Sequence, residues 1–96
     1  MLADLIREFC NEPENNYEVY ENYSVPVEFG EKITTLGIIV PQDASCVDIL
    51  VQLTSYLEAK GFDDKLLELD GADMAEFGSD AIVFFPAIQD YKPLQA

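Results

Sequence analysis

Carboxylates and tyrosines are the residues with which this chain could do chemistry. The stretch NEPENNYEVYENYSVPVEFGE, residues 11–31, holds six glutamates, four asparagines and three tyrosines, and no cation. A second stretch, DDKLLELDGADMAEFGSD, residues 63–80, adds seven acids. Carboxylates at this density have three uses: an acid–base pair, a seat for a hard cation, or an attractive surface for a basic partner.

The first use lacks support. A catalytic acid needs a pocket that raises its pKa, and nineteen acids in 96 residues bring pairs together by chance. With no histidine, a Ser–His or Cys–His couple cannot form. Neither Cys10 nor Cys46 has a cationic sequence neighbour to lower its pKa. The chain is therefore expected not to be an enzyme.

The second use is also weak. Asp63, Asp64, Asp70, Asp73, Glu76 and Asp80 crowd one region, but their spacing does not match a calcium-binding helix–loop–helix, and zinc has no ligand set. DGAD and FGSD place acids where a phosphate would sit, so no nucleotide loop is expected. No cofactor and no metal are predicted. Tyr17, Tyr20 and Tyr23 could stack bases, but without a lysine or arginine among them the platform would repel nucleic acid.

The third use fits. Nineteen acids against five bases give a net charge of −14. Eight acids fall between Asp4 and Glu31, seven between Asp63 and Asp80, and four elsewhere. Nucleic acid and anionic membranes would be repelled; a basic protein surface is the complement. If the two acidic segments share a side of the fold, that side imitates the regular negative charge of a nucleic-acid backbone. The partner-binding candidates in the first segment are Glu18, Tyr20, Glu21, Glu28 and Glu31. Those in the second are Asp70, Asp73 and Glu76.

Charge and size together lead to an expected function: a non-enzymatic acidic inhibitor that covers the nucleic-acid-binding surface of a basic protein or nuclease. Small acidic chains of this kind occur among phage anti-CRISPR and anti-restriction proteins. An immunity protein or antitoxin neutralising a basic nuclease obeys the same physics. A structural or regulatory subunit whose acidity serves only solubility is the rival from another class.

The elements that must position these residues can be read from periodicity. LADLIREFC spaces Leu2, Leu5, Ile6 and Phe9 along one face of a helix, with Asp4, Arg7 and Glu8 facing away. From Tyr17 the period becomes two: Tyr17, Val19, Tyr23, Val25, Val27 and Phe29 share one strand face, interrupted by Glu21. Glu18, Tyr20, Asn22, Ser24 and Glu28 share the other, and Pro26 marks an edge or a bulge. Gly30-Glu31 fits a two-residue type II′ hairpin loop into KITTLGIIV. That loop pairs Phe29 with Lys32, Val27 with Thr34, Val25 with Leu36, Tyr23 with Ile38 and Glu21 with Val40.

PQDASCVDILVQLTSYLEAKGF predicts a long helix. Ser45 is its N-cap, with Asp43 as a rival, and Gly61 and Phe62 close its end. Its apolar stripe is Cys46, Ile49, Leu50, Leu53 and Leu57, broadened by Val47 and Val51. Both cysteines fall on apolar sides of helices as buried free thiols. KLLEL reads as a short strand, DGADMAEFGSD as a turn into a short helix or loop, and AIVFFPA as a strand buried on both faces. The tail IQDYKPLQA is expected to be extended and partly frayed. No repeat or linker divides the chain, so residues 1–96 are read as one α+β domain. Its largely antiparallel sheet has about four strands, with the long helix on one face. The start MLADLIREFC lacks a secretory pattern and the longest apolar run is too short to cross a bilayer, so a cytoplasmic location is expected.

Overall fold

In the computed structural model, which describes residues 2–25, 33–88 and 91–93, α1 (Leu2–Asn11) opens the chain. Leu2, Leu5, Ile6 and Phe9 lie buried on one side, joined by Ala3 and Cys10, as the helical spacing predicts. Asp4 and Glu8 are exposed. Arg7, expected to face away, is instead drawn inward by Glu21, and only 16% of its side chain remains exposed. Asn15 satisfies the end of α1, its Nδ2 donating to the Phe9 carbonyl at 2.8 Å. Asn16 then takes a left-handed turn, at φ 51°, into the first strand.

The sheet contains β1 (Glu18–Val25), β2 (Ile33–Val40), β3 (Asp73–Phe77) and β4 (Asp80–Phe84), in the order β1-β2-β4-β3, antiparallel throughout. Between β2 and β3 run the long helix α2 (Cys46–Ala59) and a 3-10 helix, Asp63–Leu69. The expected α+β class and four-stranded antiparallel sheet are what the chain forms. Only the first four residues of AIVFFPA lie in the doubly buried strand, β4, and Pro86 and Ala87 form a turn; Ala81, Val83 and Phe85 point into the helix-side core, while Ile82 and Phe84 point to the opposite face.

The caps of α2 are as read. Ser45 Oγ accepts from the Asp48 N–H at 3.3 Å, and Asp43 has no such role in this cap. Gly61 at φ 82° lets its own N–H reach the Glu58 carbonyl and the Phe62 N–H reach that of Leu57 at 2.8 Å, the paired bonds of a Schellman end. Ile49, Leu53 and Leu57 are buried and Cys46 and Leu50 half-buried. Val47 and Val51 do not extend the buried stripe: they are 68% and 59% exposed.

Three expectations are corrected. β1 and β2 do pair, but in another register: Val25 faces Ile33, Tyr23 faces Thr35, and, beyond a shift between Tyr20 and Tyr23, Val19 faces Ile38. The shift is a β-bulge with Asn22 in the left-handed region at φ 60°. It divides the residues assigned to one face. Tyr17 and Val19 pack with the helices, whereas Tyr23 and Val25 pack on the outer face of the sheet. The Gly30-Glu31 loop and the pairs involving Val27, Phe29 and Lys32 lie outside the described residues.

The second correction concerns KLLEL. It belongs to the 3-10 helix, because Leu66 and Leu69, three apart, turn inward. Leu67 is left 83% exposed. The third concerns DGADMAEFGSD, which forms β3 and the turn into β4. Gly78 at φ 63° occupies the first position of a two-residue hairpin loop, and Phe77 faces Asp80 across it.

Gly37 sets the packing of the outer face. It lies between Tyr20 on β1 and Phe84 on β4. A Cβ there would meet Ile82 Cδ1 at 2.3 Å and Cγ1 at 2.6 Å. The missing side chain is thus the slot filled by Ile82, which is fully buried. Gly37→Ala should therefore lower stability by about 1–3 kcal/mol through overpacking. Ile82→Val in the same chain should recover part of that loss. Denaturant titration of the two single variants and the double variant checks this; purely additive losses would contradict the contact.

Candidate functional site

The bulge in β1 sends its side chains to both faces of the sheet. Glu21, on the helix side, accepts a two-pronged bond from Arg7: Nε to Oε2 at 2.9 Å and Nη2 to Oε1 at 2.8 Å. Arg7 also donates to Asp4 Oδ1 at 2.9 Å and to the Lys92 carbonyl at 3.0 Å. The Tyr91 hydroxyl donates to Glu21 Oε1 at 2.7 Å and accepts from the Asn22 N–H at 2.7 Å. A bulge removes a ladder partner from a backbone N–H, and here a tyrosine supplies the replacement. Burial, followed by the bond to Glu21, pushes the Tyr91 phenol up, so it keeps its donor proton. The tail is therefore pinned at Tyr91 and Lys92 rather than frayed there.

Glu21 is thus committed to the fold. It is not grouped with the other candidates, and the cause is a cation, Arg7, from a separate part of the sequence.

On the outer face the same bulge brings Tyr20 and Tyr23 together, with ring centroids 6.3 Å apart and edge to face. Across this face a ring of β1 meets a ring of β3. Tyr20 and Phe77 lie 4.9 Å apart at 67°, and Tyr23 rests 5.3 Å from Phe84. Ile82 and Val25 lie buried in the same apolar cluster. Beside Tyr20, which is 41% exposed, opens a cleft of about 590 Å³ lined by Glu18, Ile39, Phe77 and the Gly78–Asp80 turn. Glu18 and Asp80 are both exposed. An acid from each acidic segment therefore lines one aromatic cleft.

The remaining candidates spread along β3 and its approach. Asp73 faces Phe84 across the ladder, so it belongs to the outer face, and its Oδ1 accepts from the Met74 N–H at 2.8 Å. Glu76 faces Ala81, a residue of the helix-side core, and is exposed at the sheet edge. Asp70 ends the 3-10 helix, its N–H donating to the Leu67 carbonyl. Glu28 and Glu31 lie outside the described residues. Sequence reading missed Phe77 and Asp80 as members of the site, since DMAEF carries too little β propensity to read as a strand. The FGSD turn was the available signal.

Among the described residues, no three Asp, Glu, Cys or His side chains are placed to hold a metal ion. No described helix is long and apolar enough to cross a membrane. Cys10 is buried and free, and burial pushes its thiol up to about 12. Cys46 is free and half-buried rather than buried; partial burial and then the charge of Asp73 push its thiol up as well. No family model, no curated protein and no solved structure matches the chain.

Two outcomes follow from this geometry. Arg7→Lys keeps the charge but loses the fork, and should cost about 1–3 kcal/mol in denaturant titration, between the values of surface and buried pairs. A loss no larger than that of Lys65→Ala would show the network to be inert. Iodoacetamide near pH 8.5 should label Cys46 well before Cys10, because the thiolate is the nucleophile and Cys10 holds its proton to about 12. Equal labelling rates by mass spectrometry would contradict the burial of Cys10.

Proposed function

We propose that this protein is a non-enzymatic acidic inhibitor that covers the basic, nucleic-acid-binding surface of a partner protein, in the manner of phage anti-CRISPR and anti-restriction proteins. The observation that carries this reading is how the few cations are placed. Of the sixteen acids among the described residues, thirteen are exposed. Arg7 is bound to Asp4 and Glu21, Lys65 lies 3.7 Å from Glu68, and Lys60 sits over the Tyr56 ring at 5.2 Å. Three of the four cations among the described residues thus make local contacts, Lys92 is exposed, and four cations among sixteen acids leave the surface carboxylates little to offset them. Solubility would be served by far less.

The location of the acids supports a protein partner. Glu18 and Asp80 flank the exposed Tyr20 ring and the half-buried Phe77 ring, and interfaces draw much of their energy from aromatic anchors surrounded by polar residues. Asp73 adds negative charge to the same outer face, and Glu76 adds it at the β3 edge on the other side. Negative charge accelerates encounter with a basic surface, while the rings limit dissociation.

Capture of basic proteins from a bacterial lysate on the immobilised chain tests the reading, with excess duplex DNA or RNA as competitor. Retention should fall steeply between about 50 mM and about 500 mM salt, as screening shortens the reach of surface charge. Nucleic acid should displace the captured proteins. Reversal of Glu18, Asp73, Glu76 and Asp80 to lysine should weaken capture by at least about tenfold, a modest 1.4 kcal/mol for four charges. Retention indifferent to salt, competitor and reversal would leave the acidity to solubility alone.

A further inference from the structure

We infer that the outer-face cleft is an arginine-binding site, taking one guanidinium side chain of the partner between the Tyr20–Phe77 ring pair and the carboxylates of Glu18 and Asp80. This rests on the function proposed above and specifies how the partner is held. A cation is favoured over the face of an aromatic ring by the ring's quadrupole. The Tyr20 and Phe77 rings stand 4.9 Å apart at 67°, the edge of one against a face of the other, and Tyr20 stays 41% exposed to a ligand. Ile39 supplies an apolar wall suited to an alkyl stem, and the Gly78-Ser79 turn closes the cleft.

The choice of arginine follows from shape. A guanidinium is planar and weakly hydrated, so it can lie on a ring while its fork reaches a carboxylate in the same plane. An ammonium is compact and strongly hydrated, and would keep to the rim. A nucleobase would also stack on Tyr20, but its phosphates would then meet Glu18 and Asp80. The cleft volume, about 590 Å³, exceeds that of a single side chain, so flanking partner residues can enter with it.

Nona-arginine and nona-lysine, equal in charge, are the probes, titrated calorimetrically into the full chain. Nona-arginine should bind about three- to thirtyfold more tightly, the span of one cation–π contact from exposed to partly desolvated. Tyr20→Ala should remove that preference, whereas Tyr20→Phe should keep it and so controls for loss of fold. Glu18→Gln with Asp80→Asn should weaken nona-arginine more than Asp63→Asn with Asp64→Asn, which removes equal charge outside the cleft. If the two peptides bind alike and Tyr20→Ala changes nothing, the arginine site is wrong while the acidic-surface reading stands. A preference for nona-lysine overturns it equally. If neither peptide binds at low salt, both readings fall together.

Discussion

The β-bulge at Glu21–Asn22 is the constraint on which the rest of this structure depends. One extra residue in β1 reverses the facing of everything after it. Without the bulge, Tyr23 and Val25 would join Tyr17 and Val19 under the helices, and the outer face would lose two of its apolar residues. The bulge is held by its neighbours rather than by its own propensity alone. Asn22 tolerates the left-handed backbone better than most residues. Its N–H is satisfied by Tyr91, which is fixed by Glu21, which is fixed in turn by Arg7. Four residues from three distant parts of the chain thus hold one irregularity in place.

That arrangement explains why the fold class was legible and the register was not. Alternation over residues 17–25 correctly signals a strand, and continuous apolarity correctly marks β4 as buried on both sides. A bulge leaves no trace in such a pattern when both faces are apolar, because Tyr23 suits either face. Glu21 did break the alternation, and it was the one hint of the network; its partner, Arg7, stands fourteen residues earlier on a helix and gave no local clue. The two C-terminal misreadings have a similar origin. KLLEL contains leucines at spacings of one, two and three, so period alone cannot choose between strand and 3-10 turn. DMAEF is a poor strand by propensity and becomes one because β4 offers it a ladder.

Excess charge and a two-sided sheet are coupled here. A four-stranded sheet with helices on one face leaves the other to water, and apolar groups there would ordinarily be costly. This chain covers that face with its own rings: Tyr23, Phe77 and Phe84 cluster with Ile82, which fits closely because Gly37 has no side chain, and Tyr20 joins through Tyr23 and Phe77. The acids then sit around the rings rather than over them. Self-repulsion at a net charge of −14 acts against compaction. The buried residues of both faces, including Thr35, whose hydroxyl donates to the Phe85 carbonyl at 2.9 Å, supply the opposing cohesion.

The candidate site inherits its order from this arrangement. Glu18 and Tyr20 precede the bulge on β1, a strand paired with β2 along both of its segments. Phe77 and Asp80 are direct partners across a two-residue turn. Each side of the cleft is therefore fixed by hydrogen-bonded strand, and the two sides are joined by ring contact instead of by a flexible loop. A side chain entering between them meets rings and backbone already held by the fold, which lowers the ordering cost that weak cation–π and charge terms must overcome. The acidic segments, far apart in sequence and on opposite edges of the sheet, meet in one cleft at Glu18 and Asp80, where the rings of Tyr20 and Phe77 touch.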